Sequence, residues 1–61
     1  MKLKELRQSK KLTQIEIATE LEVSRTTVSM WESGSALPRA DKLIKLADIL
    51  GCTVDELLKA R

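Results

Sequence analysis

The chain has 61 residues, a net charge of +2 at pH 7 and 33% charged residues. A chain of this length forms one small domain, which buries only about 60% of the surface of its unfolded form and is therefore marginally stable. Because Cys52 is the only cysteine and histidine and tyrosine are absent, an internal disulfide is excluded, and a metal site or a nucleophile–base pair is disfavoured. We therefore expect a single domain over residues 1–61 that is not an enzyme and binds no metal or cofactor.

The distribution of apolar and charged residues limits the partners further. No run approaches the length that crosses a membrane, and the N-terminal segment lacks the apolar centre of a signal peptide. We therefore expect a cytoplasmic chain with no membrane partner. Residues 1–11 carry five basic side chains and one acidic one, whereas residues 12–22 carry three acidic and no basic ones. The basic segment would suit a phosphate backbone, but ordinary solvated faces also explain most of these charges.

Three short helices are predicted in the first half of the chain. Leu3 and Leu6 lie one turn apart in the first of them. Thr13 and Glu16 have the spacing of a capping box, in which each side chain binds the other residue's free backbone N–H, and they open the second. Ser24 is a natural N-cap for the third. The three helices cover residues 3–10, 14–21 and 25–32. The predicted core residues of the second and third helices are Ile17, Ala18, Leu21, Thr27, Val28 and Trp31.

Two further helices are predicted after a loop rich in serine. Gly34 can adopt the left-handed conformation that ends a helix, and Pro38 marks the next start. Gly51 ends the fourth helix, after which Thr53 and Glu56 form a second capping box. We find no strand pattern, so the predicted fold class is all-α. The fourth helix covers residues 39 or 40 to 50, and the fifth begins after residue 53. The predicted core residues of these two helices are Leu43, Leu46, Ala47, Leu50, Val54, Leu57 and Leu58.

The third helix has an outer face that is unusual for a helix exposed only to water. Opposite its core side lie Arg25, Thr26, Ser29 and Met30. Short polar side chains with one arginine allow close approach to another polymer, which solvation alone does not require. The sequence therefore indicates that a partner binds this face of the helix.

Several residues occur in the register of a known family. They are Leu12-Thr13-Gln14, Ala18, Val23-Ser24-Arg25, Val28, Trp31-Glu32 and Gly34, followed by Pro38 and the helix end at Leu46, Ala47, Leu50 and Gly51. In this register nearly the whole chain resembles the XRE-type helix-turn-helix family of lambdoid-phage repressors and Cro proteins. The resemblance implies a compact five-helix repressor-like domain, in which helices two and three form the helix-turn-helix. Two residues depart from the family pattern: Glu22 stands at a turn position usually held by glycine, and Cys52, which we expect to be a small buried hydrophobe, stands where valine is common.

The resemblance also implies roles for individual residues. The third helix would enter the major groove of DNA, where Arg25 can form two hydrogen bonds with a guanine. Met30 would pack on a thymine methyl or a sugar, or else lie against the neighbouring loop. Arg7 and Glu32 would form a structural ion pair between the first and third helices. The predicted base contacts are Ser24, Arg25, Thr26, Ser29 and Met30. The predicted phosphate contacts are Gln14, Ser33, Ser35 and Arg39.

These expectations combine into one predicted function with one alternative. The chain is predicted to be a sequence-specific regulator of transcription that binds double-stranded DNA through residues 24–32, most simply a repressor at a palindromic operator. The expected partner besides DNA is a second copy of the chain, and no small-molecule ligand is evident. The alternative is an antitoxin or adaptor that uses the same fold to bind another protein. The dimer could use Ile44, Ile49, Cys52, Leu57 or Leu58, unless these all belong to the core of one monomer.

Overall fold

The computed structural model describes residues 1–59, so residues 60 and 61 of the predicted domain lie outside the described part. Residues 1–59 contain five α-helices and no strand, which confirms the predicted all-α fold. The first helix ends one residue earlier than predicted, and the third ends one residue later. The helices are α1 (Leu3–Ser9), α2 (Gln14–Leu21), α3 (Arg25–Ser33), α4 (Ala40–Leu50) and α5 (Val54–Leu58).

Side-chain hydrogen bonds explain where α2, α3 and α5 begin. The Thr13 hydroxyl accepts from the Glu16 backbone N–H at 3.1 Å, and the Glu16 carboxylate accepts from the Thr13 N–H at 2.8 Å. Thr53 and Glu56 repeat this arrangement before α5, and the Ser24 hydroxyl caps α3. Each cap satisfies backbone donors that a helix start leaves without a partner, and it contributes about 1 kcal/mol. The three predicted helix starts are therefore confirmed.

Three helices end at a residue with a left-handed backbone. Glu22 follows α2 with φ +58°, while Gly34 and Gly51 follow α3 and α4 with φ +85° and +68°. Glycine adopts this conformation without strain, whereas the Cβ of Glu22 disfavours it by about 1–2 kcal/mol. The Lys42 ammonium donates to the Leu21 carbonyl oxygen at 2.7 Å, so a side chain of α4 satisfies one of the last carbonyls of α2. This hydrogen bond supports the end of α2 at a turn whose left-handed residue is not glycine.

The core lies where the amphipathic helices face one another. α2 packs against both α3 and α4, while α1 contacts α3 and α5 contacts α4. Leu58 was predicted to point inward and is instead 44% exposed, because it lies about 100° around α5 from Leu57, which is fully buried. Leu57 therefore belongs to the core of the monomer, whereas Thr27, Leu43 and Val54 are only half-buried. The buried apolar residues are Leu3, Ile17, Ala18, Leu21, Val28, Trp31, Leu46, Ala47, Leu50 and Leu57.

The start of the chain is held against the last helix. The backbone N–H of Lys2, the residue before α1, donates to the carbonyl oxygen of Leu57 at 2.8 Å. Leu3 and Leu57 are both fully buried in the same core cluster. This contact closes the fold, because it connects the first helix to the fifth without passing through the helices between them.

Cys52 is a packing residue at the beginning of the turn into α5. It is half-buried rather than fully buried as expected, and it packs against the core cluster. Burial raises the pKa of its thiol; the Glu56 carboxylate adds to this rise and the Lys10 ammonium opposes it. A raised pKa keeps the thiol protonated at neutral pH, and a protonated thiol is a poor nucleophile.

Candidate nucleic-acid interface

One side of α3 is turned away from the core. Arg25, Thr26 and Ser29 are exposed on this side, and Met30 has 40% of its surface exposed. The opposite side of the helix is buried through Val28 and Trp31. The exposed side therefore displays a guanidinium, two hydroxyls and a thioether on a helix whose orientation is fixed by the core.

Ser24 precedes this face and already has a structural role. Its hydroxyl oxygen accepts from the Thr27 backbone N–H at 3.1 Å and lies 2.9 Å from the Thr27 hydroxyl. A serine hydroxyl has one donor and two acceptor positions. When Thr27 is the donor between the two hydroxyls, Ser24 keeps its own proton for an external acceptor. Ser24 can therefore cap α3 and still donate one hydrogen bond to a ligand.

The end of α3 and the loop after it form a second polar area. The Ser33 hydroxyl donates to the Met30 carbonyl oxygen at 3.1 Å, and its oxygen lies 2.9 Å from the Ser35 hydroxyl. Arg39 is exposed and is the N-cap residue of α4, but no side chain caps that helix. The first backbone N–H groups of α4 therefore lack a side-chain acceptor. Together with the nearby Arg39 guanidinium they make the start of α4 a favourable place for an anion to bind.

Arg7 and Glu32 join α1 to the end of α3. The Nε and Nη2 atoms of Arg7 donate to the two carboxylate oxygens of Glu32 at 2.6 and 3.3 Å. The Nη1 atom of Arg7 donates to the Leu12 carbonyl oxygen at 2.8 Å. The two side chains are only 12% and 7% exposed. The two charge-assisted hydrogen bonds make this a bidentate ion pair. Its geometry restricts the orientation of α1 relative to α3.

Gln14 extends the ion pair towards the exposed face of α3. Its Nε2 donates to Glu32 Oε1 at 2.9 Å, and its Oε1 accepts from Arg25 Nη1 at 3.3 Å. The side chains of Arg7, Glu32, Gln14 and Arg25 thus form a continuous chain of hydrogen bonds, which we call the Glu32 network. It contains side chains from α1, α2 and α3.

The structure thus divides the predicted site residues into three groups. Ser24 is the N-cap residue of α3, and Thr26, Ser29 and Met30 lie on the exposed side of that helix. Gln14 and Arg25, predicted to contact phosphate and base, share the network with the predicted ion pair. Ser33 is the last residue of α3, Ser35 lies in the loop that follows, and Arg39 is the N-cap residue of α4. The link between Gln14 and Glu32 was not predicted, because the two residues are 18 positions apart and no spacing rule pairs side chains across different helices.

Two grooves lie elsewhere on the described surface, and each has an exposed isoleucine in its lining. A groove of about 440 Å³ between α2 and α4 is lined by Ile15, which is 62% exposed, and a groove of about 500 Å³ between α4 and α5 is lined by Ile44, which is 64% exposed. Within residues 1–59, no three side chains of metal-binding type lie together. None of the helices in that range is long and apolar enough to span a bilayer.

Comparison with known proteins identifies the family of this fold. A family model described as helix-turn-helix matches residues 3–57, which include α1 to α4 and most of α5. The chain belongs to the XRE-type helix-turn-helix family. Within this XRE-type domain, α2, the turn at Glu22 and α3 form the helix-turn-helix, as the sequence predicted.

Relatives of this XRE-type domain are named as regulators of transcription. The chain is 46% identical over 57 residues to the HTH-type transcriptional activator BcrR of Enterococcus faecalis, a match that covers 93% of this chain and 28% of BcrR. It is 42% identical over 45 residues to the cryptic phage CTXphi transcriptional repressor RstR of Vibrio cholerae, covering 74% of this chain and 40% of RstR. It is 40% identical over 57 residues to the uncharacterized HTH-type transcriptional regulator YqaE of Bacillus subtilis, covering 93% of this chain and 49% of YqaE.

These matches have two consequences for function. The chain spans less than half the length of each of these relatives. The names describe regulators of transcription and none describes an enzyme, which agrees with the expectation of a non-enzymatic domain. One relative is named an activator and another a repressor, so the similarity leaves the direction of regulation open.

Proposed function

We propose that this domain binds double-stranded DNA in a sequence-specific manner and thereby regulates transcription. The observation that carries the proposal is the exposed face of α3, on which Arg25, Thr26 and Ser29 project from a helix anchored in the core. Membership of the XRE-type family and the regulatory names of the relatives support it. In this proposal residues 1–61 act as one DNA-binding domain, and the domain works in the cytoplasm.

Base recognition is assigned to α3, which would lie in the major groove. The Arg25 guanidinium has five N–H donors and uses one of them on Gln14, so a pair remains for guanine O6 and N7. Such a contact contributes about 1–3 kcal/mol of discrimination between bases. Ser24, Thr26 and Ser29 supply hydroxyls within reach of base edges, and the exposed Met30 side chain packs on a thymine methyl or a sugar.

Phosphate contacts would hold the helix in register on the duplex. On one side, Gln14 has a second amide hydrogen available, and it lies at the start of α2, where backbone N–H groups are free. On the other side, Ser33, Ser35 and Arg39 form the polar area at the start of α4. Contacts of this kind contribute to the affinity for all sequences rather than to the choice of sequence.

The domain is further proposed to bind as a homodimer. One α3 reads only a few base pairs, and helix-turn-helix dimers read two half-sites about 34–36 Å apart, which makes the operator palindromic. Among the residues predicted for the dimer surface, Ile44 and Leu58 keep 64% and 44% of their surface exposed. Ile49 and Cys52 are half-buried. The surface between α4 and α5 is therefore the proposed dimer interface.

Selection of bound sequences from a random duplex pool tests the proposal. We expect the wild-type domain to enrich a palindrome and Arg25→Ala to lose the preference at one base pair in each half-site. Lys4→Ala is the matched control, because it also removes one exposed cation but lies on α1, outside the exposed face of α3 and the proposed dimer interface. Binding that depends on salt and shows no preference among sequences would contradict sequence-specific recognition.

The direction of regulation requires a separate measurement. A protein bound across a promoter excludes the polymerase, so we propose repression as the simplest outcome. In transcription from a template that carries the selected site over the promoter, we expect the domain to lower the yield of transcript. A higher yield would contradict repression while leaving DNA binding intact.

Exposed apolar residues outside α3 favour a second candidate, a module that binds another protein, such as an antitoxin or adaptor. Ile15, Leu37 and Ile44 are 62%, 74% and 64% exposed, and exposed apolar surface is typical of protein-binding sites. The same selection experiment separates the two candidates, because a protein-binding module would enrich no palindrome.

A further inference from the structure

Lys42 on α4 holds the end of α2 through a hydrogen bond between the two helices. Its ammonium donates to the carbonyl oxygen of Leu21, the last residue of α2, at 2.7 Å. The last turn of α2 contains no basic residue of its own. Because its free carbonyl groups and the helix dipole make a helix C-terminus favourable for a cation, Lys42 supplies the positive charge that α2 lacks. A charge-assisted hydrogen bond therefore joins α2 to α4 in addition to their packing.

Lys42 occupies a helix position that two other helices of the chain fill with glutamate. It is the third residue of α4, as Glu16 is of α2 and Glu56 is of α5. Those glutamates reach back and accept from the backbone N–H of the N-cap residue of their own helix. A lysine has no acceptor, so at this position it leaves the first N–H groups of α4 free and reaches across to α2. The start of α4 therefore has no side-chain cap but has an anchor on the neighbouring helix.

This anchor connects two areas that are proposed to contact DNA. Arg39, the N-cap residue of α4, precedes Lys42 by about one turn of helix. Ser24, the N-cap residue of α3, follows Leu21 by three residues. Since α4 packs against α2 and α5, the position of its first turn relative to α3 depends on its contact with α2. The hydrogen bond from Lys42 to Leu21 therefore fixes the start of α4 relative to the start of α3.

The surroundings of Lys42 favour one arrangement of its side chain. The residue is half-buried, whereas Arg39 is exposed. Lys42 lines a groove of about 450 Å³, whose other walls include Trp31 from α3 and Pro38 from the loop before α4. A lysine whose stem lies along other side chains has fewer rotamers available than an exposed lysine, so the hydrogen bond to Leu21 costs less conformational entropy. The ammonium of Lys42 is therefore held at α2, and the Arg39 guanidinium remains available to a ligand.

We propose that Lys42 is a positioning residue for the phosphate contact of Arg39, because it holds the first turn of α4 where Arg39 and α3 reach the same duplex. This inference rests on the DNA binding proposed above and specifies how one of its phosphate contacts is controlled. The Lys42 ammonium does not itself contact DNA in this arrangement, since it is bonded to Leu21. Lys42 acts on binding through Arg39, so removal of either side chain removes the same contact with DNA.

The test compares Lys42→Met, which keeps a long apolar stem and removes the ammonium, with Lys4→Met on the exposed surface of α1. The measured quantity is the slope of log Kd against the logarithm of the salt concentration, on the duplex that the wild-type domain selects. Each phosphate contact made by a cation contributes about 0.9 to this slope per bound copy. We expect the slope to fall by that amount in Arg39→Ala and also in Lys42→Met, and to remain unchanged in Lys4→Met.

The double variant Lys42→Met with Arg39→Ala separates positioning from two other roles of the lysine. If Lys42 acts through Arg39, the double variant lowers the slope by about 0.9 per bound copy, no more than either single variant. A fall of about 1.8 per bound copy would show that Lys42 contacts a phosphate of its own. An unchanged slope in Lys42→Met would show that the lysine only stabilises the fold. Either of these two results would overturn the positioning role.

Two further substitutions at the same position guard against loss of folding. Lys42→Arg keeps a charged donor and should retain the wild-type slope. Lys42→Gln removes the charge and shortens the reach by one bond, so it should lower the slope as Lys42→Met does, and it takes the place of that variant if the methionine prevents folding. Far-UV circular dichroism at the temperature of the binding measurement confirms that each variant is folded. A wild-type slope in folded Lys42→Gln would also count against the proposal.

A second measurement uses the free wild-type protein and does not depend on DNA. In NMR spectra, the ammonium protons of Lys42 should exchange with solvent more slowly than those of the exposed Lys4, because they are held by the Leu21 carbonyl oxygen. Equal exchange rates at the two lysines would overturn the hydrogen bond and the proposal with it. If the wild-type domain binds no DNA, the proposed function fails and this extension fails too, while the exchange rates still decide whether Lys42 holds the end of α2.

Discussion

Glu32 connects three helices although it lies near the end of α3, whose other side is exposed. Its carboxylate accepts from Arg7 on α1 and from Gln14 on α2, and its side chain is only 7% exposed. Removing one member of such a pair leaves the other charge buried without compensation, which is far more unfavourable than losing an exposed ion pair. The contribution of Glu32 to stability should therefore exceed that of any exposed acid in the chain.

We predict that Glu32→Ala lowers the free energy of unfolding by about 3–5 kcal/mol, because Arg7 is left buried and unpaired. A domain of 61 residues has a total stability of about 3–9 kcal/mol, so thermal unfolding followed by circular dichroism will show the loss clearly. Glu20→Ala, on the exposed side of α2, is the control and should change stability by no more than about 0.5 kcal/mol. Equal effects of the two substitutions would contradict the structural role of the pair.

At the scale of elements, the turn between α2 and α3 contains the least favourable backbone conformation of the helix-turn-helix. Glu22 has φ +58° and ψ +43°, while its backbone N–H and that of Val23 donate to carbonyl oxygens in the last turn of α2. The packing of α2 on α3 holds Glu22 in this conformation, although a residue with a Cβ disfavours a positive φ. Glycine, the usual residue of the family at this position, has no Cβ and would adopt this conformation without steric strain.

We predict that Glu22→Gly raises the free energy of unfolding by up to about 1 kcal/mol, because glycine adopts a positive φ without strain. For a domain of this size the melting temperature would rise by about 4–8 °C per kcal/mol. Glu22→Gln is the control for charge: it removes the carboxylate charge but keeps the Cβ, so the melting temperature should not change. Glu20→Gly, inside α2, should lower stability by about 1 kcal/mol; a rise in that variant too would show that strain at Glu22 is not the cause.

The elements could be predicted from the sequence because their signals are local. The capping boxes at Thr13 and Thr53 and the glycines after α3 and α4 each act within a few residues, so they indicated helix bounds to within one residue. Leu58 was misplaced because a five-residue helix has too few turns for periodicity to separate its buried side from the neighbouring one. The link from Gln14 to Glu32 depends on the angle at which α2 crosses α3, which a single sequence does not specify.

At the scale of the whole molecule, two of the exposed apolar residues lie on separate surfaces. Ile15 on α2 lines the groove between α2 and α4, and Ile44 on α4 lines the groove between α4 and α5. They are similarly exposed, at 62% and 64%. The proposed dimer uses only the second surface. The similar exposure of these two isoleucines makes them a matched pair for locating the interface.

We predict that Ile44→Lys prevents two copies from binding a palindromic duplex together, because the substitution removes an apolar contact and the added charge must be desolvated in the interface. Binding to a single half-site should be unchanged. Sedimentation velocity with the duplex measures the number of copies bound, and Ile15→Lys should leave that number at two. A loss of pairing in Ile15→Lys alone would place the interface beside α2 instead.

The hydrogen bond from Lys2 to Leu57 makes one backbone amide a reporter for the closure of the fold. Backbone amides at the start of a chain normally exchange their hydrogen with solvent rapidly, because the first residues open and close freely. The Lys2 amide is instead bonded to α5, so its hydrogen can exchange with deuterium only when the first and last helices separate. Its protection factor, compared with those of amides in α2 and α3, therefore measures whether these terminal helices detach before the helix-turn-helix unfolds.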